Sequence, residues 1–181
     1  MTFISITRLR IRSVRFLPAF LLDTWRSMRQ VKRAAGYRGG ALLADRQRAY
    51  WTMTAWDDAA AMRAYMTSGP HRRAMPKLMH WCDQASIAHW TQDGDTLPDW
   101  HEADRRMRGE GRVSKVHHAA VGHDPMTFDA PRTNNGLSLT PRRSLLTSPP
   151  LVVPAQAGTH KRNASNLNSN ASVYGFPPAR E

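Results

Sequence analysis

The sequence predicts an α+β domain built in the order β-α-β-β-α-β. Three observations carry this. Residues 3–12 alternate, with Phe3, Ser5, Thr7, Leu9 and Ile11 on one face and Ile4, Ile6, Arg8, Arg10 and Arg12 on the other. Residues 49–56, AYWTMTAW, are rich in aromatic and β-branched types, as strands are. Residues 56–90 read as a helix, a break at Ser68-Gly69-Pro70, a second helical piece and a short strand. That order is the ferredoxin-like pattern.

Each element has its own local reason. A helix is expected over 16–35, with Leu17, Phe20, Leu21, Met28 and Val31 near one buried stripe and Trp25 at its border. Pro18 is tolerable in its first turn, and Gly36 is a natural stop. Residues 37–45 and 48–56 form an antiparallel hairpin whose turn, Asp45-Arg46-Gln47, lacks glycine and leaves the register open. Asp57 or Asp58 caps a helix running to about Thr67. The second piece spans 70–83 with Pro76 as a kink, and 85–91 is the last strand. A short amphipathic helix follows over 99–108, with Trp100, Ala103 and Met107 on its apolar side.

Composition divides the chain of 181 residues. No asparagine precedes Asn134, eight of the twelve prolines lie at or after Pro125, and the last tryptophan is Trp100. The expected organisation is therefore a domain over 1–110 and a linker with a disordered tail over 111–181. Within the tail, Val153-Pro154-Ala155-Gln156-Ala157-Gly158-Thr159-His160 is similar to peptides read from dispersed repeats in bacterial genomes.

The net charge is +12, with arginine outnumbering lysine 22 to 4. The arginines are scattered, and no helix-turn-helix, zinc-finger or RNA-binding signature is present, so a nucleic-acid partner is not expected. A single cysteine, Cys82, excludes an intrachain disulfide framework and fits the cytoplasm. Residues 16–22 are too short an apolar run, and too broken by Pro18, for a signal segment or a membrane span; no membrane partner is expected.

The element order, Trp56 closing the third strand, and an SGPH turn inside the second helix resemble the antibiotic-biosynthesis-monooxygenase-like branch of the dimeric α+β barrel superfamily. The resemblance covers residues 2–92 and includes the spacing W-x8-Y-x5-H of Trp56, Tyr65 and His71. It implies a homodimer packed sheet to sheet, with one small pocket per subunit between sheet and helices. Some members oxidise aromatic polyketides without metal or flavin, others cleave haem, and many have no known activity. The haem-cleaving members use an asparagine, a tryptophan and a histidine where this chain has Thr7, Tyr65 and Met75, so neither haem nor another cofactor is expected. The resemblance thus implies a cofactor-independent monooxygenase acting on a small aromatic or isoprenoid molecule. The alternative is a non-catalytic dimer that binds a small ligand or serves as structure.

Six residues are candidates for the site. His71 and Tyr65 are the candidate catalytic pair; Thr7, Trp56, Arg72 and Met75 are the candidate ligand contacts. A histidine beside two arginines is biased towards its neutral form and suits proton transfer. Its plainer role is to satisfy backbone groups left open at the helix break. That break also leaves room beside Tyr65, so the pocket is expected between the sheet and the second helix, with Arg72 as the charge for an anionic ligand. Strand alternation sends Trp51 and Trp56 to opposite faces. His80, Cys82, Asp83 and His89 are spaced too poorly for a metal site. Arg8, Arg10 and Arg12 share a face with Ile4 and Ile6; they are expected either to be solvated beyond the sheet edge or to form an anion-binding mouth.

Overall fold

The computed structural model describes residues 1–141. The elements are β1 (Thr2–Ile11), α1 (Leu17–Val31), β2 (Tyr37–Ala44), β3 (Ala49–Trp56), α2 (Ala59–Met66), α3 (Gly69–Trp81) and β4 (Cys82–Gln92), followed by α4 (Trp100–Glu110), β5 (Arg112–Val113) and β6 (Gly136–Leu139). The sheet runs β5-β4-β1-β3-β2-β6. Its four inner strands pair antiparallel in the order β4-β1-β3-β2, the ferredoxin-like arrangement.

The capping residues act as their types suggest. Asp58 accepts from Ala61 N at 2.8 Å and opens α2; Asp99 accepts from Glu102 N at 2.8 Å and opens α4. The turn after Ala44 is closed by Gln47 and Arg48 in the left-handed region, which fixes Ala44 opposite Tyr50. Gly36, at φ 73°, brings the chain out of α1 so close to α2 that a Cβ would sit 2.7 Å from that of Ala61.

The sheet's two faces carry separate cores. On one face, Ile4, Ile6, Leu43, Trp51, Met53, Ala88 and Trp90 are covered by Trp100, Ala103 and Met107 of α4, with Phe128 packed alongside. On the other, α1, α2 and α3 cover two smaller clusters: Val31, Tyr37, Trp56 and Met62 at one end, and Ile11, Phe20 and Cys82 at the other.

This arrangement corrects several expectations. The apolar sheet face expected to await a second copy is covered by the chain's own α4, so the packing argument for a homodimer is met within one chain. The boundary expected at 110 falls inside the folded unit. Strand β6 pairs with β2, Leu139 is buried, and Tyr37 donates to Leu139 O at 3.0 Å. Burial also pushes the Tyr37 phenol up to about 12. Of the linker and disordered tail expected over 111–181, the part up to 141 carries β5 and β6 and packs Phe128; residues 142–181 lie outside the described part.

Arg8 is not solvated. It is 6% exposed, donates to Gln84 Oε1 at 2.8 Å, and lies 4.2 Å over the Phe128 ring, and burial pulls its pKa down to about 10. Arg10 pairs with Asp83 at 2.7 Å. The α1 stripe holds at Phe20 and Val31, which are buried, and at Leu17 and Met28, which are half-buried, but Leu21 is turned out at 52% exposed, beside Leu22 and Trp25 at 46% and 48%.

Candidate functional site

The helix-covered face of the sheet is polar at its centre. Pairing places Ser5 between Thr54 and His89, and Thr7 between Thr52 and Ile87. The apolar clusters lie on either side of this band of hydroxyls. Thr7, Thr52, Ile87 and His89 all stay partly exposed although β1, β3 and β4 lie inside the sheet and helices cross above them. These four side chains therefore keep some solvent contact beneath the helices, a slot over the middle of the sheet that is separate from the grooves lined by Trp25 and Arg29 and by Arg38 and Leu97.

One end of the slot is an aromatic column. Tyr37 meets Trp56 edge-on at 5.4 Å between ring centres, Trp56 meets Tyr65 at 5.3 Å, and Tyr65 meets His71 at 4.6 Å. Trp56 is fully buried and donates from Nε1 to Thr54 Oγ1 at 2.9 Å, so it supports the column from behind. The Tyr65 hydroxyl donates to Ser27 O at 3.4 Å, and burial raises its pKa well above the usual phenol range. The His71 ring is largely buried and its pKa is pulled below 6.5 by desolvation, against the pull of Met66 O, 3.4 Å from Nδ1. A proton held on Nδ1 by that carbonyl leaves Nε2 with a lone pair. Across the band, His89 is likewise pulled down by burial and by Arg112, and its ring lies 5.6 Å from Phe3.

Of the six candidate residues, the fold brings Trp56, Tyr65 and His71 into one column and sets Thr7 on the same sheet face. It does not bring Arg72 and Met75 to them. Both are exposed on the outer side of α3, whose inner side carries His71, Ala74 and Leu78. The hydroxyls of Ser5, Thr52 and Thr54 were missed, although the alternation Tyr50-Thr52-Thr54-Trp56 already placed two of them beside Trp56. The backbone groups freed at the Ser68-Gly69-Pro70 break are not open to a ligand. Gln30 of α1 takes them: its Nε2 donates to Tyr65 O at 3.2 Å and Ser68 O at 3.0 Å, and its Oε1 accepts from His71 N at 2.9 Å. Gly69 sits at φ 54°, a conformation strained for any other residue, and a Cβ there would lie 3.0 Å from the Gln30 amide carbon. No sequence signal marks a lone glutamine for this role. Gln30→Ala removes the acceptor of His71 N and one donor each to Tyr65 O and Ser68 O, which keep bonds from Ser68 N and Arg72 N, and is expected to cost about 1–3 kcal/mol, read as a lower urea midpoint. An unchanged midpoint would mean that water replaces the amide fully.

An open concavity lies elsewhere, outside the helix layer. It is a groove of about 980 Å³ between α1 and α2, lined by Trp25, Arg29, Arg33, Ala60 and Ala64 among others. The histidines and cysteine considered for a metal are dispersed. His80 stacks on His117 at 4.3 Å, Asp83 is held by Arg10, and Cys82 is buried with its thiol pushed up to about 12. Among the described residues, no three such side chains are placed to share an ion.

The class of protein defined so far is a ferredoxin-like α+β unit with a polar slot under its helices and an extra helix on the opposite face. The chain belongs to the family described as "Domain of unknown function (DUF3291)", whose model matches residues 24–119. No curated protein matches the sequence. Among solved structures, the chain is similar to SnoaB of Streptomyces nogalater, a cofactor-independent oxygenase, at 18% identity and a TM-score of 0.45, covering 54% of this chain and 98% of that one. It is similar to an antibiotic biosynthesis monooxygenase at 13% identity and a TM-score of 0.46, covering 51% and 99%. It is also similar to Rv0793 of Mycobacterium tuberculosis at 9% identity and a TM-score of 0.48, covering 53% and 99%.

Proposed function

We propose that the protein binds a small planar aromatic molecule in the slot over Thr7 and oxidises it with molecular oxygen, without metal or flavin. The observation that carries this reading is the pairing of a desolvated, neutral His71 with an aromatic column beside a band of hydroxyls. His71 Nε2 takes a proton from an acidic position of the substrate. The resulting carbanion or phenolate is electron-rich enough to reduce oxygen. A methylene between two rings is thereby converted to a carbonyl, with one oxygen atom retained and the other leaving as water. The hydroxyls of Thr7 and Thr52 hold the developing oxyanion, and Tyr65 flanks the ring. Every residue named here comes from one chain, so a homodimer is not required for the chemistry.

A second reading is favoured by one observation. Trp56 is wholly buried and the Tyr65 hydroxyl is turned to Ser27 O, so the column also serves as core. On that reading the slot binds a ligand and does no chemistry.

Anthrones and other polycyclic phenols, screened by thermal shift and by oxygen consumption, separate the two. Oxygenation predicts a raised Tm and stoichiometric oxygen uptake that falls about a hundredfold or more in His71→Ala. Because the His71 pKa is lowered in the fold, its neutral form persists on acidification, and activity should hold below pH 6.5 before it falls. Binding without oxygen uptake supports the second reading. No thermal shift with any planar aromatic would sink both.

A further inference from the structure

We infer that the outward face of α1 is a docking surface for an anionic lipid bilayer. Leu21, Leu22 and Trp25 stand out from the first half of the helix, each about half exposed, and Val14 precedes them at 64%. Arg26, Arg29, Lys32 and Arg33 are exposed along the second half, and Arg15 lies at the start. At 100° per residue, Leu22, Trp25, Arg29, Lys32 and Arg33 fall within about a third of a turn of one another, one continuous stripe. The neighbouring α3 adds Met75, Arg72 and Arg73, all exposed.

The single acidic side chain of α1, Asp23, is only 12% exposed and is neutralised by Lys77 at 2.7 Å and Arg26 at 3.5 Å. Arg29 lies 4.8 Å over the Trp25 ring, and neither it nor Arg33 has a carboxylate partner among the described residues. The outward face of α1 is thus apolar and aromatic at one end and basic at the other, and Asp23 is its one acidic side chain; Asp57, paired with Arg38, and Asp58 line the adjoining groove.

Each alternative occupant fits less well. A nucleic acid would draw on the arginines and leave two leucines and a tryptophan in water. A second copy would bring like charges together. A bilayer with acidic headgroups meets both ends at once: leucine and tryptophan enter the headgroup boundary while arginines reach the phosphates. The arginine stems can bend to keep their charges at the surface, and the groove beside Arg29 and Arg33 gives them room. Docking of this kind needs no spanning segment, and no helix among the described residues is long and apolar enough to cross a membrane.

The test uses the full chain and phosphatidylcholine vesicles with or without phosphatidylglycerol, followed by co-sedimentation and tryptophan emission. Trp25 is the most exposed of the six tryptophans, so it dominates any change in quenching. Binding is expected only to the phosphatidylglycerol vesicles, with a blue shift, protection of Trp25 from acrylamide, and loss at high salt. Leu21→Ser/Leu22→Ser/Trp25→Ser and Arg29→Glu/Arg33→Glu should each weaken it roughly tenfold or more. All five positions are exposed, and far-UV dichroism checks folding; if a variant misfolds, acrylamide protection in the unaltered chain still decides. No binding, or binding that both folded variants retain, overturns the inference. So does tight binding of polyglutamate that ignores the leucine-tryptophan variant, which would mark an acidic polypeptide surface. Self-association lost in that variant would equally overturn it, in favour of a second copy.

Discussion

A chain ending at Gln92 is expected to aggregate or to pair with itself, while the full chain stays monodisperse. Residues 1–92 hold every element of the β-α-β-β-α-β unit, so by connectivity alone that piece should fold. By burial it should not stand alone. Ile4, Ile6, Trp51 and Met53 are 0–1% exposed only because α4 and Phe128 lie on them. Removing α4 strips away Trp100, Ala103 and Met107, each worth roughly 1–3 kcal/mol of burial. It also uncovers a contiguous apolar face larger than monomers normally present to water. Size-exclusion chromatography with light scattering reads the outcome. A monomeric 1–92 fragment with an undiminished urea midpoint would show that α4 is an ornament. A discrete dimer would show that a second copy can take the place of α4.

The second large effect is expected at Trp56. Its side chain is fully buried, touches Tyr37 and Tyr65, and spends its one polar group on Thr54. Trp56→Ala leaves a cavity no neighbour can fill and should cost about 3–5 kcal/mol. For a domain with roughly 5–15 kcal/mol in all, that reaches the edge of folding. Trp56→Phe keeps most of the contact and should cost far less. Tyr65→Phe removes only a hydroxyl whose bond to Ser27 O is 3.4 Å long, and is expected to change stability by less than about 1 kcal/mol. Urea denaturation of the three variants gives the order. If Trp56→Ala proves as mild as Tyr65→Phe, the column is not the support of the slot.

Trp56, Tyr65 and His71 were legible as a group because local rules suffice for them. Strand parity fixes the face of Trp56, the Asp58 cap sets the start of α2, and one turn plus a break carries the chain from Tyr65 to His71. Arg72 and Met75 were misplaced because only the rotation of α3 about its axis decides which residues look inward, and neighbouring elements set that rotation. The same holds for Leu21, expected on one stripe with Phe20 and Val31, of which the helix buries only the latter two. Arg8 looked like a surface residue because charge argues against burial; Gln84 and the Phe128 ring, both distant in sequence, override that. Strand β6 has four residues and no pattern of its own, and it exists because β2 offers an edge.

The central position of β1 has a consequence for the order of events during synthesis. Strand β1 leaves the ribosome before both its partners and is completed late: β3 reaches it about 50 residues later and β4 about 80. Until then an isoleucine-bearing strand waits with both edges unpaired, the form most inclined to join a neighbouring chain. Arginine at positions 8, 10 and 12 interrupts that stickiness at alternate residues, as charges flanking unavoidable apolar strands do. Such distant pairings place folding in roughly the millisecond-to-second range. A nascent chain of this kind spends that interval guarded by the same arginine that later costs it a buried charge.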